Sequence, residues 1–350
     1  MDRAQRDWGV AWAARNAGRL GVNRLGRAIS TDAYLASLLD RTAGGVATIA
    51  VDGGEIPLLT QLQDSSTVVF SFSGAVDRAR HPLPFFTSTS LHKHAPASII
   101  GISDPSLVRG EELKLAWYAG DDRFAVQPAL TELIHRIVDV LDATRVVFLG
   151  GSGGGFAALY YAWRLPGSVA LVSNPQTNLN HAIRLHRDRY RAACWPSLPE
   201  QTSLAQTIDV DLGALYASRC DTSVIYLQEA SDFYHVKWHF GPFVSQLPRE
   251  YSDRLVIRMA HWGRRGHQAV PAYVWIPWLL AALTAPNTSA AAIEQTWAEQ
   301  NAASPIEEPR VPKPKLVTRA ANRDEQIAAR LARSAARVLQ KSPSSERLPS

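Results

Sequence analysis

Cysteine is nearly absent from this chain: Cys194 and Cys220 are the two in 350 residues. That is too few for a disulfide scaffold, and the two are not in the Cys-x-x-Cys spacing of a zinc or redox site. Long apolar runs are missing as well. No stretch approaches the roughly 20 residues that a membrane span needs, so a soluble protein is expected. Arg3, Arg6, Arg15 and Arg19 interrupt the first twenty residues, which therefore lack the continuous apolar region of a secretory signal. With reduced thiols as the default, the reading is cytoplasmic. A charge excess is also missing from most of the chain. The formal charge is +5, but residues 301–350 hold ten basic and five acidic residues and so carry all of it. The positive balance belongs to a tail, and the body is not expected to bind nucleic acid.

What is present is an ordinary globular composition, 46% hydrophobic and 20% charged, and a length that fits one large α/β core with extensions. The first 45 residues have helical spacing, with Leu35, Leu38 and Leu39 on one side, and read as an N-terminal helical extension. Apolar β-rich runs then alternate with helical stretches: 46–51, 67–72, 97–102, 145–149, 169–172, 223–227 and 254–259. Such alternation predicts a mostly parallel central sheet flanked by helices. Leu130, Leu133, Ile134, Ile137, Val138 and Leu141 form one stripe of a helix over 126–141, and 274–283 is apolar nearly all round. About forty residues, 180–219, separate two strands and predict an inserted cap. From 286 onward Pro305, Pro309, Pro312 and Pro314 predict a linker. Beyond it, Asn322 and Glu325 open a short amphipathic helix carrying Ile327, Leu331, Ala335 and Val338. Arg330, Arg333, Arg337 and Lys341 lie beside that stripe, a face suited to an acidic partner or an anionic membrane surface, or to simple solubility.

The most specific signal is Gly150-x-Ser152-x-Gly154, set between an apolar strand and an apolar helix. This is the context of a nucleophile elbow. The chain must reverse within two residues, which strains the serine backbone and requires neighbours without side chains. A serine at a helix N-terminus also sees free backbone N–H groups, and that of Gly153 is suited to an oxyanion.

Over roughly 46–284 the sequence resembles the α/β-hydrolase superfamily, whose elbow and whose order of serine, acid and histidine can be laid on this chain. The resemblance implies a serine esterase or acyltransferase without a cofactor or metal. It implies Ser152 as nucleophile, an acid after the strand that follows the cap, and a histidine in the loop before the final helix. Asp232 is the acid so placed, with Glu229 the alternative; His267 is the histidine, in preference to His261. A second oxyanion donor is implied in the loop after the strand at 67–72, at Gly74 or Ala75. The chemistry asks for these types because a serine hydroxyl needs a base to take its proton and a carboxylate to fix that base's tautomer.

Other arrangements compete. Gly153-x-Gly155-x-x-Ala158 formally matches a dinucleotide fingerprint, but Ser173-Asn174-Pro175 stands where an acidic residue should follow. His235 and His239 at i, i+4, and His92-x-His94, have spacings a metal could use, with solvated or core-edge histidines as the plainer account. The expected cap holds Arg184, Arg187, Arg189 and Arg191, either a solvated helix face or, through Arg187 and Arg191, a site for an anionic substrate. Trp262 is a candidate wall of the substrate pocket. The expected substrate is a small-molecule or glycan ester, turned over by hydrolysis or by O-acyl transfer or deacylation on a glycan; a non-catalytic binding module on the same fold is the other class.

Overall fold

In the computed structural model, which describes residues 28–40, 43–219 and 221–303, the seven apolar runs become strands of one nine-stranded sheet, joined by two strands outside those runs, at 29–30 and 54–61. In chain order they are β1 (Ile29–Ser30), β2 (Gly44–Val51), β3 (Gly54–Gln61), β4 (Thr67–Phe72), β5 (Ser98–Ile102), β6 (Arg145–Gly151), β7 (Val169–Ser173), β8 (Ser223–Glu229) and β9 (Leu255–Ala260). Their order across the sheet is β1-β2-β3-β5-β4-β6-β7-β8-β9. Only β3 is reversed: it runs antiparallel to β2 and β5, and every other pairing is parallel. Strand order, a single reversed strand near one edge and a glycine-rich turn after the central β6 make this an α/β-hydrolase fold.

Both faces of the sheet are covered, which explains why β6 to β8 are apolar runs without alternation. One face packs the helices Val126–Val140 and Gly153–Arg164; the other packs Ala272–Thr284 and Ala290–Ala303. The stripe expected over 126–141 is the buried side of the first of these, from Leu130 to Ile137.

The folded body is wider than the span of 46–285 expected from the sequence. The helix Thr31–Leu39 is part of it: Tyr34, Leu35 and Leu38 are buried, and the Tyr34 hydroxyl bonds Thr60 Oγ1 at 2.7 Å. At the other end, the helix Ala290–Ala303 lies where the linker was expected. It buries Ile293 and stacks Trp297 on Trp278, centroids 4.6 Å apart, a contact worth about 1 kcal/mol beyond its area. Pro305, the first of the four prolines named for the linker, follows this helix in the sequence. The remaining expectations for 1–27 and for the basic tail fall outside the described residues. Among the described residues, no helix is long and apolar enough to cross a membrane.

The order of the strands reverses at β4, with β5 on one side and β6 on the other. A crevice opens at the carboxyl ends of the strands at such a point. The turns leaving β4 and β6 carry Gly74 and Ser152 to it.

Candidate active site

Ser152 sits between β6 and the helix Gly153–Arg164 with φ 54° and ψ −120°, a conformation a residue with a side chain adopts only at a cost. The glycines of the motif make the turn possible. A Cβ on Gly150 would lie 2.1 Å from the Gly154 carbonyl oxygen, and one on Gly154 would lie 2.5 Å from that of Phe72. Hydrogen bonds then pin the turn: Ser152 N–H donates to the Ser173 carbonyl at 2.9 Å, and Gln176 N–H donates to the Ser152 carbonyl at 3.0 Å.

The three residues singled out from sequence meet here. His267 Nε2 lies 2.9 Å from Ser152 Oγ, and His267 Nδ1 lies 2.6 Å from Asp232 Oδ2. A carboxylate accepts only, so Nδ1 carries the proton and Nε2 is left to accept from the serine. Asp232 is buried and caps the short helix that begins at Phe233. Burial alone would raise its carboxyl, but hydrogen bonds from His235 and His267 more than offset this and hold it well below the usual range.

Glu229 ends β8 nearby and serves a different partner. Its Oε1 accepts from His261 Nδ1 at 2.8 Å and from the N–H and hydroxyl of Ser231 at 3.1 and 2.9 Å. Its Oε2 accepts from Trp262 N–H at 2.8 Å. The Ser231 hydroxyl in turn accepts from Gly266 N–H at 3.1 Å, and Gly266 has φ 80°, so a glycine turn delivers His267. Nothing in the sequence marks Asn174, yet it ties the same region together. Its Oδ1 accepts from Glu229 N–H at 2.7 Å and its Nδ2 donates to the Gln268 carbonyl at 2.8 Å.

The loop after β4 faces the elbow. Ser73 N–H donates to the Tyr118 hydroxyl at 2.7 Å and Val76 N–H to the Lys114 carbonyl at 2.8 Å. Those of Gly74 and Ala75 have no protein acceptor among the described residues, and Gly74 backs closely onto the elbow: a Cβ there would lie 3.0 Å from the Gly151 carbonyl oxygen. With Gly153 N–H at the first turn of its helix, these amides are the donors available to an oxyanion beside Ser152.

A cavity of about 530 Å³ opens at Ser152. Its walls include Leu149, Leu171, Leu227, Val270, Trp275 and Ile276; among the described residues, His94 and His267 are the only ionisable side chains on it. The other sequence candidates lie elsewhere. Trp262 does not line the cavity; its ring packs against the core cluster on the β9 side, and Trp275 holds the place expected of it. The insertion at 180–219 is helical but contributes no wall. It packs on the opposite side through Tyr190, Cys194, Leu212 and Tyr216. Its arginines are occupied structurally: Arg191 donates to the carbonyls of Pro199 at 2.5 Å, Thr202 at 3.0 Å and Glu200 at 3.2 Å, and Arg187 to that of Asn180. Neither Arg187 nor Arg191, expected as contacts for an anionic substrate, lines the cavity at Ser152. The arginine-rich helix exposes the ion pair Arg184–Asp188, and Arg189 pairs with Glu112.

The histidine pair at 235 and 239 is buried rather than surface-facing: Phe233–His235 runs into a π-helical turn, Val236–Phe240, and both rings turn inward. His239 is pushed down to about 3, by burial first and then by His235 and His181. One group that could converge on a cation, Asp232, His235 and His267, exists among the described residues, but the Nδ1 atoms of both histidines already donate to Asp232. His92 Nδ1 faces Gln61 Nε2 at 2.9 Å.

No family model matches the chain, and no curated protein matches it. Solved structures do. The capsule O-acetyltransferase of Neisseria meningitidis serogroup A is 14% identical over 62% of this chain and 86% of its own, with a TM-score of 0.42. Carboxyl esterase 2 from Tuber melanosporum is 14% identical over 84% of this chain and 98% of its own, with a TM-score of 0.43. Prolyl oligopeptidase B from Galerina marginata is 14% identical over 73% of this chain and 36% of its own, with a TM-score of 0.43.

Proposed function

We propose that the protein is a serine hydrolase that cleaves a neutral ester with a substantial apolar part, through an acyl-enzyme on Ser152. The observation that carries this is the hydrogen-bonded chain Ser152 Oγ, His267, Asp232, at 2.9 and 2.6 Å. A binding module has no use for a strained serine aligned on an oriented imidazole. In the reaction, Ser152 Oγ attacks the ester carbonyl carbon while its proton passes to His267 Nε2. Asp232 holds the opposite N–H and balances the imidazolium. The carbonyl oxygen becomes an oxyanion beside Gly153 N–H and the amides of Gly74 and Ala75. Collapse expels the alcohol, which takes the proton from His267. Water then attacks the acyl carbon by the same route, the acid leaves and Ser152 regains its proton.

The substrate class follows from the cavity. Its mostly apolar wall gains by taking up hydrocarbon, and among the described residues it has no Lys or Arg to pair with an anion. Ser88, whose buried Oγ has no protein partner among the described residues, borders it.

The test is labelling by a fluorophosphonate probe together with turnover of two series of p-nitrophenyl and acetate esters that lengthen the acyl and the alcohol side separately. Wild type should label, prefer longer chains on one side and discriminate against a carboxylate on it; Ser152→Ala should lose label and turnover while keeping its fold. Wild-type turnover in Ser152→Ala would overturn the proposal.

A further inference from the structure

Asp232 holds two imidazoles. Besides His267, the ring of His235 sits with Nδ1 at 3.1 Å from Oδ1 and 3.0 Å from Oδ2, and its backbone N–H reaches Oδ1 at 3.3 Å. The two rings lie face to face, centroids 4.0 Å apart and planes within 8°. His235 is 1% exposed, and its far nitrogen, Nε2, has no protein partner among the described residues. This placement has a local cause. Asp232 caps the helix it precedes, so the third residue on, His235, falls beneath the carboxylate. The following π turn then keeps His239 on the same inward side, centroid 5.0 Å from His235.

We propose that His235 is a positioning residue of the site, dividing the charge of Asp232 between two imidazoles and so setting the pH at which His267 serves as base. This rests on the serine hydrolase reading above. A carboxylate that donors share gives each a weaker pull, so His235 makes His267 easier to deprotonate than Asp232 alone would. The stack adds a second requirement. When His267 takes the serine proton it becomes a cation, and a parallel ring 4.0 Å away must then be neutral. Burial favours that state, lowering His235 against the pull of Asp232. The groups facing the pair agree with it: Asp232 is the anion at their edge, His239 behind is neutral, His181 lies beyond His239, Tyr234 flanks His235 and His239, and the Tyr226 phenol near Asp232 stays protonated.

The test compares His235→Phe, which keeps a stacking ring and removes the donor, with His235→Asn, which places an amide donor near the Nδ1 position and removes the ring. For a neutral ester, the acid limb of kcat/KM in His235→Phe should move to higher pH by about half a unit or more, with KM within about twofold of wild type. In His235→Asn the limb should stay within about 0.2 unit of wild type. Fluorophosphonate labelling and melting temperature establish that both variants assemble the site. An unmoved limb in His235→Phe, or an equal shift in both variants, would overturn the proposal. A readout free of turnover separates this from failure of the hydrolase reading. The downfield proton resonance of His267 Nδ1–H against Asp232 should move in His235→Phe and hold in His235→Asn. Unchanged resonances in both would overturn it even in a protein that turns over no ester.

Discussion

Glu229 and His261 form a second carboxylate–imidazole pair, 2.8 Å apart, one turn of chain from the Asp232–His267 pair. The resemblance in types hides a difference in work. Asp232 Oδ2 faces an imidazole whose other nitrogen reaches Ser152. Glu229 receives His261, Trp262 N–H and both donors of Ser231, and through Ser231 it steadies Gly266. Burial would raise the Glu229 carboxyl, but these donors outweigh it and keep it ionised.

Exchanging each carboxylate for its amide separates the two roles. Asp232→Asn turns a donor toward His267 Nδ1 and should lower kcat by about 10³ to 10⁴. Glu229→Gln leaves one donor facing others, which should cost about 1 to 3 kcal/mol of stability and on the order of tenfold or less in kcat. Steady-state kinetics beside urea unfolding would measure both. A loss in Glu229→Gln as deep as that in Asp232→Asn would reverse the assignment of the acid.

The elbow was legible because its constraint is local: glycines at 150 and 154 are needed wherever a strand turns into a helix within two residues, and that can be read without the rest of the chain. Asp232 and His267 were implied by the resemblance to the α/β-hydrolase superfamily, whose acid and histidine are placed by order relative to strands that are themselves apolar runs. β3 was not legible, since Gly54 and Pro57 lie inside it and a proline argues against a strand interior. The inward turn of His235 and His239 was not legible either. Spacing says that two residues share a helix face but not which way that face looks, and the π turn shifts it further. For a related reason the surroundings of Arg187 and Arg191 could not be read: their charge is visible in sequence, but the backbone carbonyls they meet come from loop geometry.

The cavity predicts how substrate range can be narrowed. Ile276 lies on the wall, on the helix Ala272–Thr284, and is partly exposed. Ile276→Trp should fill part of the roughly 530 Å³ and shorten the preferred chain on the apolar side of the ester. Acetate turnover should remain within about threefold of wild type, since the change leaves Ser152, His267 and Asp232 in place. The two ester series report this directly, and an unchanged chain-length profile would place the substrate outside this cavity.

The buried His239 predicts a pH dependence of stability with a definite sign. Its Nδ1 accepts Thr177 N–H at 3.2 Å and its carbonyl accepts the Thr177 hydroxyl at 2.9 Å, so the ring is held neutral in the fold. Burial, with His235 and His181 nearby, pushes it from its ordinary 6.5 to about 3. The unfolded chain therefore takes up this proton first as pH falls. The stability His239 contributes is complete above pH 6.5 and is lost as pH drops toward 3. Asp104, pushed up to about 7 by burial, works in the opposite sense and loses stability as pH rises from 3.8. A raw pH curve would mix the two. His239→Asn separates them, because the Asn carbonyl oxygen can still accept Thr177 N–H, cannot titrate, and leaves Asp104 as it was. Lost packing lowers the variant's stability at pH 7, but the gap between the two proteins should close or invert by on the order of 1 to 4 kcal/mol between pH 7 and 4. Urea unfolding at several pH values measures that gap, and parallel curves for the two proteins would show that His239 carries no buried-charge penalty.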